Sequence, residues 1–420
     1  MKKLELEERI QRLNHFGDCL NENADRLCLK LKQAAGITVK DSKNRDLRLC
    51  VYLIRQMVPD KLKKFDPAFD LQNTTPFGRI AVLLPYNSVF LTMAMSMASA
   101  YLVGNSVFVH LPSKFTNLTK LLHEIIYDTL PGVELSDIER GRDFLNSCLE
   151  REDIRLINCF SNDKWITHYY KKVKNSHKKF LFEGPGKDPF IVFPDANLEK
   201  AIIAAITAGF INSGQLCCSP ERFYVHHEIY DSFISLLLTL VRNVKVGPQK
   251  NEEEQDIGPL GSTRVVENIK EQFVDAVEKG AQILHGGDFQ HFEGDCLPTC
   301  MPTVMTNCNH QMNIMINETF GPVIPIKTFK DEQEVLNLAN DSQYGLTATL
   351  FGGSQNFVKK LQDSYGRIFH NSCFADPEND DVFLYWGGFG NSAWVWEWKG
   401  RNFITRKGPR FFVKEFSRQS

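Results

Sequence analysis

Residues 210–218 read Phe210-Ile-Asn-Ser-Gly-Gln-Leu-Cys-Cys218, and the interpretation of the whole chain starts from this stretch. It follows an apolar run with helical spacing, which places Cys217 on an exposed turn after a helix. Earlier in the chain, Glu183 begins the stretch Glu183-Gly-Pro-Gly-Lys-Asp-Pro189. A thiolate can attack a carbonyl carbon, and a carboxylate can activate water. Cys217 and Glu183 therefore form the candidate catalytic pair.

Strands alternate with helices on both sides of Glu183. Short β-branched runs predict strands, and longer runs with apolar residues every three or four positions predict helices. Before Glu183 we predict strands at 78–84, 106–111, 154–160 and 179–182, and helices within 4–60 and at 88–102 and 115–128. After it we predict helices at 197–210, 227–243, 263–279, 331–340 and 355–364, and strands at 222–225, 323–328, 346–351 and 367–371. This alternation predicts an α/β fold of two doubly wound domains that meet near Glu183.

The composition is that of an ordinary globular protein. The chain has 420 residues, of which 43% are hydrophobic and 24% charged, and its net charge is −2. This length predicts two or three domains with substantial cores. Basic and acidic residues are mixed throughout, so there is no electrostatic case for a nucleic-acid partner.

Cysteine usage and hydropathy bear on the compartment. The eleven cysteines are scattered without paired CxxC spacing, which argues against a metal site or a disulfide framework and favours a reducing, cytoplasmic compartment. No apolar signal region follows the charged N-terminus. Residues 89–109 carry no charge and are long enough to span a bilayer, but a Gly104-Asn105 turn splits them. We predict helix, turn and buried strand there, not a membrane span.

Four segments carry a resemblance to a known family. They are Leu84-Pro-Tyr-Asn87, Glu183-Gly-Pro-Gly-Lys-Asp-Pro189, Phe210-Ile-Asn-Ser-Gly-Gln-Leu-Cys217 and Glu318-Thr-Phe-Gly-Pro-Val323. Weaker matches are Asp256-Ile-Gly-Pro-Leu260, residues 340–346 and Trp386-Gly-Gly-Phe389. In this order the segments resemble the NAD(P)-dependent aldehyde dehydrogenase superfamily, from about residue 10 to residue 415.

The resemblance implies a mechanism and a cofactor. Cys217 would attack a small-molecule aldehyde to give a thiohemiacetal, oxidation would give a thioester, and Glu183 would activate water to release the acid. The Asn87 amide and the Cys217 backbone N–H would hold the oxyanion. NAD or NADP would be the cofactor, with Glu318 on the nicotinamide ribose. The remaining cofactor-binding residues that the resemblance implies are Phe320, Tyr86 and His110. No metal is implied.

The resemblance also implies a domain organisation and an assembly. Residues 1–60 and 77–185 would form the nucleotide-binding domain, and residues 186–390 the catalytic thiol domain. Residues 61–76 and 400–420 would form an oligomerisation hairpin and C-terminal strand, in a homodimer or a dimer of dimers. The N-terminal segment is short for the family, which predicts that part of the usual first domain is trimmed.

The cofactor half departs from the family pattern. His110 stands where the family has a lysine, and Phe160-Ser-Asn-Asp-Lys-Trp-Ile-Thr167 replaces a glycine-containing turn that cradles the pyrophosphate. Asp163 would repel phosphate there, unless Asn162 or Asp163 caps the helix instead. Pro185 also replaces a glycine, and three tryptophans at 394–398 suggest an altered substrate mouth, a dimer contact or plain packing.

Several alternatives stay open at this point. The chain could be an impaired aldehyde-dehydrogenase-like scaffold with weak or absent cofactor binding, a thiol esterase that uses Cys217, Asn87 and Glu183, or an acyl-CoA-type reductase. Cys218 is an alternative nucleophile. His110 could have a structural role instead of binding the cofactor. The sequence does not determine the aldehyde, the choice between NAD and NADP, or the oligomeric state.

Overall fold

A seven-stranded sheet organises the first half of the chain in the computed structural model, which describes residues 4–419. Its inner strands run parallel, and an antiparallel hairpin extends one edge. In spatial order the strands are Asn402–Arg406, Ala393–Lys399, Lys179–Glu183, Ile154–Phe160, Arg79–Leu83, Ser106–His110 and Val133–Leu135. We call this the first sheet.

A second seven-stranded sheet organises residues 188–370. Its strands are parallel except for the antiparallel edge strand Gln282–His285. In spatial order they are Arg367–His370, Thr347–Phe351, Asp188–Val192, Pro220–His226, Val323–Phe329, Thr303–Thr306 and Gln282–His285. Residues 184–187 lead from the first sheet to this second sheet, so Glu183 lies at the junction between them, and residues 371–392 return the chain to the first sheet.

Helices cover the sheets because each strand presents alternate residues to opposite faces. In the strand Arg79–Leu83, Ile80 and Val82 pack in one core with the N-terminal helices, whereas Ala81 and Leu83 pack in another. Helices associated with the first half are Leu6–Glu22, Ala24–Ala35, Arg48–Gln56, Thr116–Thr129, Gly141–Glu150 and Tyr170–Ser176. Those of the second half are Leu198–Phe210, Tyr230–Val241, Thr263–Glu278, Glu332–Asn340 and Gln355–Leu361.

The sequence predicted this α/β architecture, and the order of strands and helices confirms it. The predicted helix at 88–102 is interrupted by a π-helical turn at Met93–Ala98, between α-helical ends at Val89–Thr92 and Ser99–Leu102. After the Gly104-Asn105 turn the chain enters the buried strand Ser106–His110, as predicted. Within residues 4–419 no helix is both long and apolar enough to cross a bilayer.

The segments assigned to oligomerisation pair with other parts of the same chain. Thr74–Pro76 lies antiparallel to Ser417–Gln419, and Arg410–Phe411 pairs with Tyr385–Trp386. The strand Asn402–Arg406 forms an outer edge of the first sheet. The division into domains and the role of these segments in assembly stay predictions.

The three tryptophans form a strand next to the one that ends at Glu183. Trp394 is opposite Phe182 in the register and stacks on its ring, with the centroids 4.0 Å apart. Trp396 stacks on Phe180 at 5.5 Å, and both indoles are 4% exposed. Trp398 is half-buried and donates to the Lys174 carbonyl. Of the three readings, plain packing therefore describes Trp394 and Trp396.

Trp394→Ala is expected to lower the free energy of unfolding by about 3 kcal/mol or more, since it removes a buried indole and leaves a cavity. Chemical denaturation followed by circular dichroism measures the change. Trp398→Ala is the matched control and should cost clearly less, because that indole is half exposed. Equal losses for both variants would contradict the packing described here.

Candidate active site

The first sheet, the second sheet and the loops between them bring Glu183, Cys217 and Asn87 together. Glu183 ends the strand Lys179–Glu183. Cys217 lies in the loop between the helix Leu198–Phe210 and the next strand, and Asn87 lies in the loop after the strand Arg79–Leu83. The Asn87 loop follows the carboxyl end of a parallel strand, where ligands commonly bind in folds of this kind, and Glu183 ends another strand of the same sheet. The Cys217 loop reaches them from the second sheet, just before the strand Pro220–His226.

Glycines allow the loops to approach closely. A Cβ atom on Gly186 would lie 2.0 Å from the Cys217 carbonyl oxygen, so only glycine permits this contact. Gly214 has φ +71°, and a Cβ there would lie 2.1 Å from the Gly321 oxygen. Asn212 and Ser213 also have positive φ, at 54° and 55°. Non-glycine residues in this conformation carry strain, which is common at functional sites.

A cavity of about 870 Å³ opens between these loops. This is within the size range of cofactor and small-molecule sites. All seven residues that the sequence singled out line it. They are Cys217, Glu183, Asn87, Glu318, Phe320, Tyr86 and His110. The structure thus places the predicted residues around one cavity, while the role of each remains a prediction.

The thiol of Cys217 is held in its neutral form. It is partly exposed, whereas Cys218 is only 3% exposed. Contact with the Cys218 thiol, burial and the neighbouring Glu183 carboxylate raise the pKa of Cys217 well above its usual value. A thiol becomes nucleophilic only as the thiolate, so Cys217 needs a base to accept its proton.

Glu183 is the candidate for this base. Its carboxyl is 5% exposed, and burial raises its pKa to about 7. Interactions with the Cys217 thiol, the Arg410 guanidinium and the Trp386 indole oppose this rise. The Oε1 atom of Glu183 is buried without a hydrogen-bond partner among the described residues. A carboxyl with a pKa near 7 can both accept and return a proton at neutral pH.

Hydrogen bonds connect Asn87 to the loop that carries Cys217. Its Nδ2 donates to the Gln215 carbonyl at 3.0 Å, which uses one of its two N–H groups. Asn212 Nδ2 donates to the Asn87 carbonyl at 2.9 Å and lies 3.2 Å from the Gln215 carbonyl. The second N–H of Asn87 is the donor that an oxyanion on a carbon bound to Cys217 would need.

The remaining predicted residues also line the cavity. Glu318 Oε1 accepts from the Gly186 N–H at 3.2 Å, which ties it to the same turn as the catalytic pair. Tyr86 and Phe320 meet edge to face at 6.3 Å. His110 stacks on Phe144 at 5.0 Å, and burial lowers the His110 pKa to about 4. His110 is therefore a neutral ring at physiological pH.

The turn that departs from the family pattern begins a short capped helix. Asn162 caps the short helix Asp163–Ile166 by accepting from the Lys164 N–H at 3.0 Å, as one of the alternatives predicted. Asn162, Lys164 and Trp165 line the cavity. Asp163 is only 3% exposed, and burial raises its pKa, which favours the neutral carboxyl. Repulsion between Asp163 and a phosphate is therefore weaker than the sequence suggested.

Comparison with known proteins agrees with this geometry. Residues 1–405 match the model of the aldehyde dehydrogenase family. The chain belongs to the aldehyde dehydrogenase family. It is 32% identical over 281 residues to lactaldehyde dehydrogenase of Escherichia coli (strain K12), covering 66% of this chain and 58% of that relative. It is 30% identical over 307 residues to D-glyceraldehyde dehydrogenase (NADP(+)) of Thermoplasma acidophilum, covering 71% and 62%.

A solved structure shares the fold of this aldehyde dehydrogenase family member. The structure of 3,6-anhydro-L-galactose dehydrogenase in complex with NAP superimposes with a TM-score of 0.84 and 24% identity, covering 99% of this chain and 87% of that one. At this identity the likeness concerns the fold alone. The two sequence relatives are matched over only about three fifths of their own length, at 58% and 62%.

The cavity fits the dinucleotide that the family resemblance implies. His110 is neutral and, with the Tyr86 ring, lines the cavity, so both offer uncharged surface to a ligand. Burial and the neighbouring Glu221 raise the pKa of Glu318 well above its usual value, so its neutral carboxyl can exchange hydrogen bonds with ribose hydroxyls. Lys164 at the capped turn supplies a positive charge beside the cavity. These residues would hold NAD or NADP in the cavity.

The sequence analysis assigned no role to Trp386 and Arg45, which line the cavity, or to Arg410, which lies near Glu183. Trp386 was noted only as part of a weak match, and Arg410 only as part of a C-terminal strand. Arg45 carried no pattern at all. Arg410 is 2% exposed, and its Nη2 donates to the Phe182 carbonyl at 2.8 Å, one residue before Glu183. Burial lowers the Arg410 pKa to about 10. Their positions depend on distant segments meeting, so no local motif revealed them.

Arg410→Met is expected to raise the pKa of Glu183 above about 7, because it removes the nearby positive charge that favours the carboxylate. Infrared titration of the carboxyl band measures this pKa. Subtracting the spectrum of the Glu183→Gln variant identifies the signal of Glu183. Arg410→Lys keeps the charge and should hold the midpoint near the wild-type value. An unchanged midpoint in Arg410→Met would show that Arg410 acts only through packing.

Proposed function

We propose that this protein oxidises an aldehyde to a carboxylic acid with NAD or NADP, through a covalent adduct on Cys217. The observation that carries the proposal is that Cys217 meets a buried carboxyl with a pKa of about 7 at the junction of the two sheets. The relatives described above are named as dehydrogenases of aldehydes, and one is named for NADP. No finding favours the impaired-scaffold alternative.

In the first half of the proposed reaction, Glu183 accepts the proton of the Cys217 thiol, and the thiolate attacks the aldehyde carbon. The free N–H of Asn87 and the Cys217 backbone N–H donate to the oxygen that becomes negative. The chemistry that a bound nicotinamide supplies is acceptance of a hydride from the aldehyde carbon. The acyl group is then carried by Cys217 as a thioester.

In the second half, Glu183 acts on water. It first releases to solvent the proton that it took from the thiol. Its carboxylate then removes a proton from water as the water oxygen attacks the thioester carbon, and the Cys217 thiolate leaves and takes that proton back from Glu183. Burial beside Trp386 keeps the pKa of Glu183 near 7, so both protonation states are available during one turnover. The same carboxyl thus acts as a base in both halves.

We also infer a homodimer or dimer of dimers in the cytoplasm. The strand Asn402–Arg406 leaves an outer edge of the first sheet, and exposed edges favour pairing with another chain. The described cysteines are free, which suits a reducing compartment. Sedimentation analysis of the purified protein tests the assembly, and imaging of a tagged chain in cells tests the compartment.

Cys217→Ala is expected to reduce turnover of aldehyde by more than about a thousandfold, since it removes the nucleophile. The measurement is absorbance of reduced NAD or NADP during a panel of aldehyde assays. Cys218→Ala is the matched control and should retain most of the activity. If Cys218→Ala is the inactive variant instead, the assignment of the nucleophile is wrong.

The rate of thioester hydrolysis is expected to rise with pH up to about 7 and then level off, because Glu183 works as the deprotonated base and its raised pKa is about 7. Below this pH the rate should fall about tenfold per pH unit as the carboxyl is protonated. Rapid-quench measurement of acid release gives the profile.

Glu183→Gln is expected to abolish this pH dependence. Because it also removes the charge that raises the Cys217 pKa, the thiol should still acylate slowly, whereas hydrolysis loses its base, so the acyl group accumulates on the protein. Intact-protein mass spectrometry after addition of aldehyde and NAD(P) should then show the added acyl mass in Glu183→Gln, and its absence in the double variant with Cys217→Ala. A wild-type pH profile retained in Glu183→Gln would assign the base elsewhere.

A further inference from the structure

Arg45 is a buried cation that the proposed chemistry does not use. It lies in the π-helical turn Ser42–Leu47 and is 8% exposed. It lines the same cavity as Cys217. Helical irregularities of this kind are frequent at functional sites, and a buried guanidinium normally has an acidic partner. A negatively charged partner of Arg45 is therefore expected.

No acidic side chain among residues 4–419 forms an ion pair with Arg45, and its Nε is buried without a hydrogen-bond partner. The nearby carboxylates are engaged elsewhere. Asp46 accepts from the Ser88 hydroxyl at 2.8 Å. It also accepts from the backbone N–H groups of Phe90 and Leu91. Asp41 accepts from the Asn212 N–H at 2.8 Å. They act on Arg45 only through longer-range attraction.

Aromatic rings hold the guanidinium in place. The Arg45 Cζ lies 5.3 Å from the centre of the Phe374 ring and 6.0 Å from that of Phe383. Contacts between a cation and an aromatic face restrain the guanidinium without using its N–H donors. Those donors lie in a planar fork that matches a carboxylate.

Neighbouring side chains connect Arg45 to the candidate catalytic residues. Phe383 stacks against Trp386 with the ring centres 4.9 Å apart, and Trp386 interacts with Glu183. Ser88, which hydrogen-bonds Asp46, directly follows Asn87 in the chain. The cavity wall here includes Leu91 and Met95, which suit methylene groups. A ligand bound at Cys217 therefore shares this cavity with Arg45.

We propose that Arg45 binds a terminal carboxylate of the substrate, so that the aldehyde oxidised at Cys217 is a short semialdehyde of a dicarboxylic acid. The inference rests on the proposed function and adds a substrate class to it. Arg45 is the specificity-determining residue, and the apolar wall accommodates the methylene chain between the aldehyde and the carboxylate. The bound carboxylate neutralises a guanidinium charge that no acidic side chain among the described residues pairs with.

The test compares aldehydes of equal length that differ in one terminal group. The pairs are succinic semialdehyde with butanal and glutaric semialdehyde with pentanal. The wild-type kcat/KM should be about ten- to a hundredfold higher for the better-fitting semialdehyde than for its neutral partner, the range expected for charge-assisted hydrogen bonds. A wild type that oxidises the neutral aldehydes equally well or better overturns the inference while leaving the proposed function intact.

Substitution of Arg45 identifies the source of the preference. Arg45→Met should reduce kcat/KM for the semialdehyde about ten- to a hundredfold, mainly through KM, and change butanal less than about threefold. Arg45→Lys should retain part of the preference. The matched control is Arg55→Met, because Arg55 is exposed and pairs with Asp18 at the surface. If Arg45→Met keeps the wild-type preference, Arg45 does not recognise the substrate.

A binding measurement separates failure of this inference from failure of the proposed function. Calorimetric titration with succinic semialdehyde and with butanal, without nucleotide, needs no turnover. At least tenfold tighter binding of the semialdehyde, lost in Arg45→Met, supports the inference even if no aldehyde is oxidised. Equal binding of the two compounds, or no binding of the semialdehyde at millimolar concentration, overturns it even in an active enzyme.

Discussion

The close contact between the turn after Glu183 and the loop of Cys217 is the constraint on which the site depends. Gly186 and the Cys217 carbonyl leave no room for a side chain between them, so the two sheets meet with their loops interlocked. This contact holds the thiol next to a carboxyl that is only 5% exposed. Burial raises the pKa of Glu183, whereas contact with the Cys218 thiol, together with burial, raises that of Cys217, and their chemistry follows from that arrangement.

Neighbouring segments adjust the electrostatics of this contact. Arg410, near the C-terminus of the described chain, donates to the residue before Glu183 and places a buried positive charge near the carboxyl. Trp386 supplies an indole from a separate strand. Removing one partner of such a buried charged group is costly, because the other is left without compensation. The C-terminal strands therefore influence the reactive carboxyl as well as extending the first sheet.

The sequence predicted the two-sheet architecture and seven cavity residues because the information is local. Strand and helix periodicity is visible within each segment, and Cys217, Glu183 and Asn87 lie in short motifs whose glycines permit the close contacts. Arg45 and Arg410 could not be predicted, since they reach the site only when distant segments fold together. The burial of Asp163 was also hidden, because a short helix does not reveal which way its first side chain faces.

Some residues that line the cavity carry a buried polar atom without a hydrogen-bond partner among the described residues. They include Glu183, through its Oε1, and Arg45, through its Nε. Buried polar groups in folded proteins nearly always have partners, and each exception lowers stability. Arg45 adds a cation without an ion-pair partner in the described chain to the cavity that holds Cys217, so the complementary ligand there carries a negative charge as well as an electrophilic carbon.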